Sequence, residues 1–228
     1  MKELNINNRK VTVFCDSKKE NKIPVVILNT FNNEGKAVWE ECKNITTKNF
    51  SLVAIEIDNW NDDLTPWECP PLYKGDEKCL GYADKYLKEL ETTILKEVEN
   101  YLEEIGVDIE YYVIAGYSLA GLFALYASYK TNIFKKVASA SGSFWYPNFL
   151  EYVKENKISK NIEKIYLSLG NKEKETKNKV LQTVLDNTLE IYNILNKNIS
   201  CIYEENEGNH FKDTTKRMAK AIRNILED

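Results

Sequence analysis

The chain has 228 residues, 43% hydrophobic and 29% charged, with a formal net charge of −4. That length suits one layered domain with a sizeable core, so a single domain over residues 1–228 is expected; the hydrophobic content is far above that of disordered chains, and the lack of a basic excess argues against a nucleic-acid partner. No 18-residue apolar run is present and Met1 to Lys10 is too polar for a secretory signal, so neither a spanning helix nor membrane association is expected.

In chain order, Val11 to Cys15, Val25 to Leu28 and Leu52 to Ile57 read as strands, the latter two apolar without alternation, as burial on both faces produces. Asp58 to Leu80 then breaks the rhythm: it is aperiodic and holds three of the five prolines and two of the four tryptophans. A loop this long, starting where a central strand ends, is expected to shape a binding site. Tyr82 to Ile105 carries Tyr86, Leu90, Ile94 and Val98 at a spacing of four and reads as a helix. The strand Tyr112 to Ala115 runs into an apolar helix, followed by strands at Val137 to Ala140 and Ile165 to Leu169. A helix over Val180 to Leu195, a strand at Cys201 to Tyr203 and a closing helix over Lys212 to Ile225 complete the series. Short apolar strands alternating with longer amphipathic segments predict an α/β fold with a mostly parallel sheet covered by helices on both faces.

The junction Gly116-Tyr117-Ser118-Leu119-Ala120-Gly121 sits between strand and helix, the setting of a nucleophile elbow. A serine on so tight a turn needs small residues at its flanks, and Gly116 and Ala120 supply them. The same glycine spacing occurs in phosphate-binding loops, but Leu122 and Phe123 stand where Lys and Ser or Thr are required, which rejects a nucleotide site. A serine hydroxyl needs a base, and the chain has one histidine, His210, in the turn Glu207-Gly208-Asn209-His210-Phe211 after the last strand. An acid is expected after the strand Ile165 to Leu169, where Gly170-Asn171-Lys172-Glu173-Lys174-Glu175 follows; Glu173 is the first choice and Glu175 the second, with a solvated charge run the bland alternative. Asn171 could orient an imidazole but could not stabilise its cation. For the oxyanion, the N–H of Leu119 is one expected donor, and Phe31, with Thr30 next, is the candidate for the second.

With Ser118, the Gly170 turn and His210 in this order, the chain resembles the Putative esterase family of α/β-hydrolases, the group of esterase-D-like, enterochelin esterase-like and feruloyl esterase-like enzymes. The similarity runs from about Lys22 to the end. It is clearest in Ile114 to Leu125, in Ser141-Gly142-Ser143-Phe144-Trp145 and in Gly208-Asn209-His210-Phe211. The chain departs from the family in carrying Asn29-Thr30 where a His-Gly pair is usual, and Asn171 then Glu173 where Asp is frequent. The resemblance implies an α/β-hydrolase fold and hydrolysis of a small-molecule carboxylic ester through an acyl-enzyme on Ser118, without metal or organic cofactor. Acyl transfer to an alcohol, or a catalytically silent hydrolase fold used for binding, are the alternatives.

Trp67, Tyr117 and Trp145, with Trp60 and Tyr146, are expected near the strand ends, lining a substrate pocket or capping the core. Asn59, Asn61, Asp62 and Asp63 miss the spacing of a calcium loop and read as turn residues. Cys15, Cys42, Cys69, Cys79 and Cys201 form no C-x-x-C pair, so neither zinc nor a disulfide framework is indicated and a reducing, cytoplasmic setting is expected.

Overall fold

The computed structural model describes residues 1–15 and 22–227. Its frame is an eight-stranded sheet: β1 (Lys2–Ile6), β2 (Arg9–Cys15), β3 (Lys22–Thr30), β4 (Ser51–Glu56), β5 (Asp108–Tyr117), β6 (Phe134–Ala140), β7 (Lys164–Gly170) and β8 (Ser200–Asn206). The spatial order is β1-β2-β4-β3-β5-β6-β7-β8. β2 pairs antiparallel with β1 and β4, and all later pairs are parallel.

Strand β1 was not expected from the sequence. It lies at the sheet edge and buries only Ile6, so no hydrophobic pattern announces it. The hairpin to β2 turns on Asn7 and Asn8, both at positive φ (51° and 66°), which asparagine tolerates better than most residues.

Alternate residues of the central strands face two cores. Val26, Leu28, Val113, Ala115 and Ala138 pack under α1 (Gly35–Ile45) and, at the other end of the chain, the helix Thr214–Leu226. On the opposite face, Val25, Ile27, Ile114, Val137 and Ile165 meet the remaining helices. These are α2 (Trp60–Asp63), α3 (Ala83–Glu89), α4 (Leu95–Glu104), α5 (Leu119–Lys130), α6 (Phe149–Glu155) and α7 (Val184–Leu195), so the C-terminal Thr214–Leu226 is α8. Every residue of α5 from Leu119 to Ser128 is buried, which explains a segment apolar all round.

The long helix expected over Tyr82 to Ile105 is continuous but not uniform: a π-helical turn, Leu90–Ile94, joins α3 to α4. A spacing of four drifts by about 40° per step around a regular helix. The wider π turn absorbs part of that drift, and Tyr86, Leu90, Ile94 and Val98 all end buried.

Within residues 58–80 the chain is tied down at several points. The Asp62 carboxylate accepts the Leu80 N–H at 2.8 Å, Asp63 pairs with Arg9 at 2.7 Å, and Cys69 and Cys79 exchange backbone hydrogen bonds of 3.0 Å. The carboxyl ends of β3, β5, β6, β7 and β8 converge on one edge, and the segments leaving them build the site.

Candidate active site

Ser118 holds φ 59° and ψ −123° between β5 and α5, a conformation that side-chain-bearing residues rarely adopt. Close packing imposes it. A Cβ on Gly116 would collide with the Ala120 carbonyl and lie 2.7 Å from the Ala120 side chain, so the strand entering the turn must be bare there. The turn is held by the Ser118 N–H donating to the Ala140 carbonyl at 3.2 Å and by the Ser143 N–H donating to the Ser118 carbonyl at 3.1 Å.

The Ser118 hydroxyl thereby reaches the His210 ring, donating to Nε2 at 3.0 Å when the imidazole carries its proton on Nδ1. Nδ1–H then donates to Glu173 Oε2 at 2.7 Å. Two zipped turns align these groups. The Asn171 N–H donates to the Asn206 carbonyl at 2.8 Å and the Lys172 N–H to the Gly208 carbonyl at 3.1 Å. Asn171 Oδ1 accepts the Gly208 N–H at 2.9 Å, so this side chain fastens the histidine turn and does not orient the ring. Glu175, the second candidate for the acid, closes the Lys172 turn through its N–H at 3.1 Å, while the carboxylate at the imidazole belongs to Glu173.

Glu173 is only 3% exposed in its side chain, and its second oxygen is saturated. Oε1 accepts the Ser141 hydroxyl and the Gly170 N–H, both at 2.7 Å, and Arg217 Nη1 at 3.2 Å. A Cβ on Gly170 would lie 2.9 Å from both the Glu173 and Arg217 heads, so this close approach also demands glycine. Burial alone pushes the Glu173 carboxyl up; the hydrogen bond and charge of His210, with the Ser141 and Gly170 donors, outweigh it and hold the group below its ordinary 4.5.

Three further contacts were not expected from the sequence. Ser143, buried, places its Oγ 3.3 Å from the Ser118 Oγ. The Tyr117 hydroxyl donates to the His210 carbonyl at 2.8 Å; burial pushes this phenol up, which keeps the donor proton in place. Arg217 is buried on the last helix and points inward, where a guanidinium is legible only once the carboxylate it meets is known.

Ser118 opens onto two cavities. One, of about 290 Å³, is walled by Leu28, Val38, Met218 and Tyr117, with Phe31 and Phe211 also in its lining. The other, of about 390 Å³, lies against Pro70, Pro71, Leu72 and Trp145, and Trp60 borders both. Trp145 and Tyr117 thus line cavities that meet at Ser118, whereas Trp67 does not. Its indole donates to the Pro147 carbonyl at 2.9 Å, and its ring packs among Tyr126, Tyr146, Phe149 and Tyr152 on the core side, lining neither cavity.

For the oxyanion, the Leu119 N–H belongs to the first turn of α5, whose N–H groups have no intrahelical acceptor. Phe31 follows β3 and lines the first cavity together with Ser118 and Glu34. Withdrawal from water raises the Glu34 pKa, and the nearby Phe31 N–H lowers it by less. Thr30 remains inside the β3–β4 ladder, opposite Glu56.

A parallel sheet with an antiparallel start, a strained serine turn ahead of a buried helix, and a histidine turn after the last strand define an α/β-hydrolase with its serine at the elbow. The chain belongs to the Putative esterase family, whose model matches residues 5–215. It is similar to the uncharacterized protein YbbA of Bacillus subtilis (strain 168), at 26% identity over 145 residues; the match covers 63% of this chain and 58% of that relative. Among solved structures it superposes on an IroE-like serine hydrolase from Shewanella oneidensis, with TM-score 0.75, 17% identity and coverage of 96% of this chain and 76% of the other. The siderophore hydrolase EstB from Aspergillus nidulans gives TM-score 0.78 at 17% identity, with 99% and 94% covered. At these identities the two superpositions establish the fold.

Proposed function

We propose that the chain hydrolyses carboxylic esters through an acyl-enzyme on Ser118, with His210 as general base and Glu173 as the acid that holds it. The observation that carries this reading is the unbroken file from Ser118 Oγ through the imidazole to Glu173, at 3.0 and 2.7 Å. Ser118 attacks the ester carbonyl as its proton passes to His210 Nε2, and the imidazolium is stabilised by the Glu173 carboxylate. Collapse of the tetrahedral adduct expels the alcohol, which takes that proton from Nε2. Water, deprotonated by the same nitrogen, then releases the acid and restores Ser118. The Leu119 N–H is the first oxyanion donor and the Phe31 N–H the second.

The substrate is a small-molecule ester with one apolar portion, which the cavity on Leu28, Val38 and Met218 accommodates. Among the described residues no helix is long and apolar enough to cross a membrane, and Cys42, Cys69, Cys79 and Cys201 are free thiols. The free thiols support a reducing, cytoplasmic setting.

The test is labelling by a fluorophosphonate together with turnover of p-nitrophenyl esters. Wild type should label on Ser118, and Ser118→Ala should lose the label and about 10⁴- to 10⁶-fold in turnover, as nucleophile removal does elsewhere. Esterase activity that survives Ser118→Ala would rule the mechanism out.

A further inference from the structure

Arg217 enters the site from the first turns of α8 and is 3% exposed. Its Nη1 donates to Glu173 Oε1 at 3.2 Å, to the Tyr117 hydroxyl at 3.3 Å and to Ser141 Oγ at 3.4 Å; Nη2 donates to the Glu207 carbonyl at 2.8 Å. One side chain therefore joins the ends of β5, β6, β7 and β8. Burying a guanidinium is expensive, and an apolar residue would fill the same space without that cost. Glu173 Oε1 moreover has two shorter donors already, so anchoring the carboxylate does not require a third. What Arg217 alone brings is a positive charge.

A buried carboxylate without a counter-charge stabilises the imidazolium strongly and so keeps the base protonated. We infer that Arg217 is a positioning residue that balances Glu173: it occupies Oε1, leaves Oε2 to His210, and restrains protonation of the imidazole so that the base is free at lower pH. The inference takes the proposed roles of Glu173 and His210 as its ground.

The other groups facing the ring are accounted for. From β5 and its turn come Tyr117 and Ser118, and beyond β6 the hydroxyls of Ser141 and Ser143, all uncharged. Glu34 stands across the first cavity. The histidine turn itself carries the Glu207–Lys212 pair, exposed and self-compensating at 3.0 Å, and next to it Asp213. Of the charges in contact with the file, Glu173 and Arg217 are the buried ones, where Coulomb interactions are least screened.

Because the chain has a single histidine, the Cε1 proton of His210 is an unambiguous NMR reporter of ring protonation. Titrations are run in a Ser118→Ala background, so they read the ring whether or not the chain is an esterase. Arg217→Gln should move the midpoint to higher pH, and in the otherwise wild-type enzyme kcat/KM at pH 6 should fall on the order of tenfold more than at pH 8. Arg217→Lys, which keeps charge and most of the volume but loses the fork, should hold the midpoint near wild type while kcat drops. An unchanged or lowered midpoint in folded Arg217→Gln overturns the inference. If that variant fails to fold, Arg217→Lys decides: an upward shift there means that charge balance is not what Arg217 supplies. Loss of esterase activity with normal titrations would count against the proposed reaction and leave the charge balance standing.

Discussion

At the scale of residues, Ser118 and His210 are legible because chemistry restricts them so tightly. A small-flanked serine between strand and helix has few other uses, and one histidine leaves no choice of imidazole. The proposed acid was legible only to within two residues: Glu173 and Glu175 differ in which way a turn points them, and the Gly170 N–H and the zipped turn at Gly208 aim Glu173 at the imidazole. Arg217 meets neighbours distant in sequence and leaves no local mark, and the motif that holds Ser143 does not disclose its contact with Ser118. Glu173→Gln should lower kcat/KM by about 10²- to 10⁴-fold, since the amide cannot stabilise an imidazolium. It should also displace the acid limb of the pH profile downward, because a carboxylate held charged favours the protonated ring and its removal disfavours it. This direction is opposite to that expected for Arg217→Gln, and identical shifts in the two variants would contradict both assignments. Glu34 offers a third residue-level test. Its carboxylate shares the first cavity with Phe31, whose N–H favours the charged form, so Glu34→Ala should raise kcat for a neutral ester severalfold by leaving that N–H to the oxyanion, an interaction worth about 10²-fold or more where it has been removed. A fall in kcat with intact folding would take Phe31 out of the oxyanion site.

At the scale of elements, buried strands and amphipathic helices were readable from periodicity, and the misses have physical reasons. Strand β1 is a polar edge. Helices α1 and α6 are short segments that bury Val38, Trp39 and Cys42, and Phe149, Leu150 and Val153, too few positions to stand out. The aperiodic stretch after β4 was expected to shape the pocket, and its two tryptophans part ways: Trp60 borders both cavities, whereas Trp67, partly buried, packs against the core and fastens the stretch to Pro147. Composition cannot separate the two, because an indole serves either purpose and only the path of the loop decides. The roles predict different mutants. Trp60→Ala should change the ratio of kcat/KM between short aliphatic and bulky aromatic esters. Trp67→Ala should cost about 3 kcal/mol of stability, in the range for removing a large core aromatic, and lower activity uniformly across the panel. Chemical denaturation beside a substrate panel distinguishes them, and a selectivity change in Trp67→Ala alone would reverse the assignment.

At the scale of the whole molecule, the site is assembled from the carboxyl ends of five strands, so its geometry exists only when the sheet is complete. The Glu173–Arg217 pair sits at the centre of that convergence, bridging α8 to β6 and β7, and its protonation should therefore be felt in global stability. Folding lowers the Glu173 pKa below the 4.5 of an unperturbed group. By linkage, the stabilisation is fully present above the unfolded value and is lost as pH falls through the folded value. Glu207 and Glu227 are lowered in the same direction by Lys212 and by the Thr47 N–H, but neither touches Glu173 and both contribute equally to wild type and to a Glu173 variant. Glu173→Gln should accordingly have a lower Tm at pH 7, where it leaves a buried guanidinium without its counter-charge. It should also lose Tm less steeply than wild type between pH 5 and pH 3, because the proton that the wild-type carboxylate must take up on acidification has no place to bind. Thermal melts of both proteins across that range therefore converge as the pH falls. Curves that run parallel from pH 7 to pH 3 would mean that Glu173 carries no linked proton, and the charge pair at the centre of the site would have to be discarded.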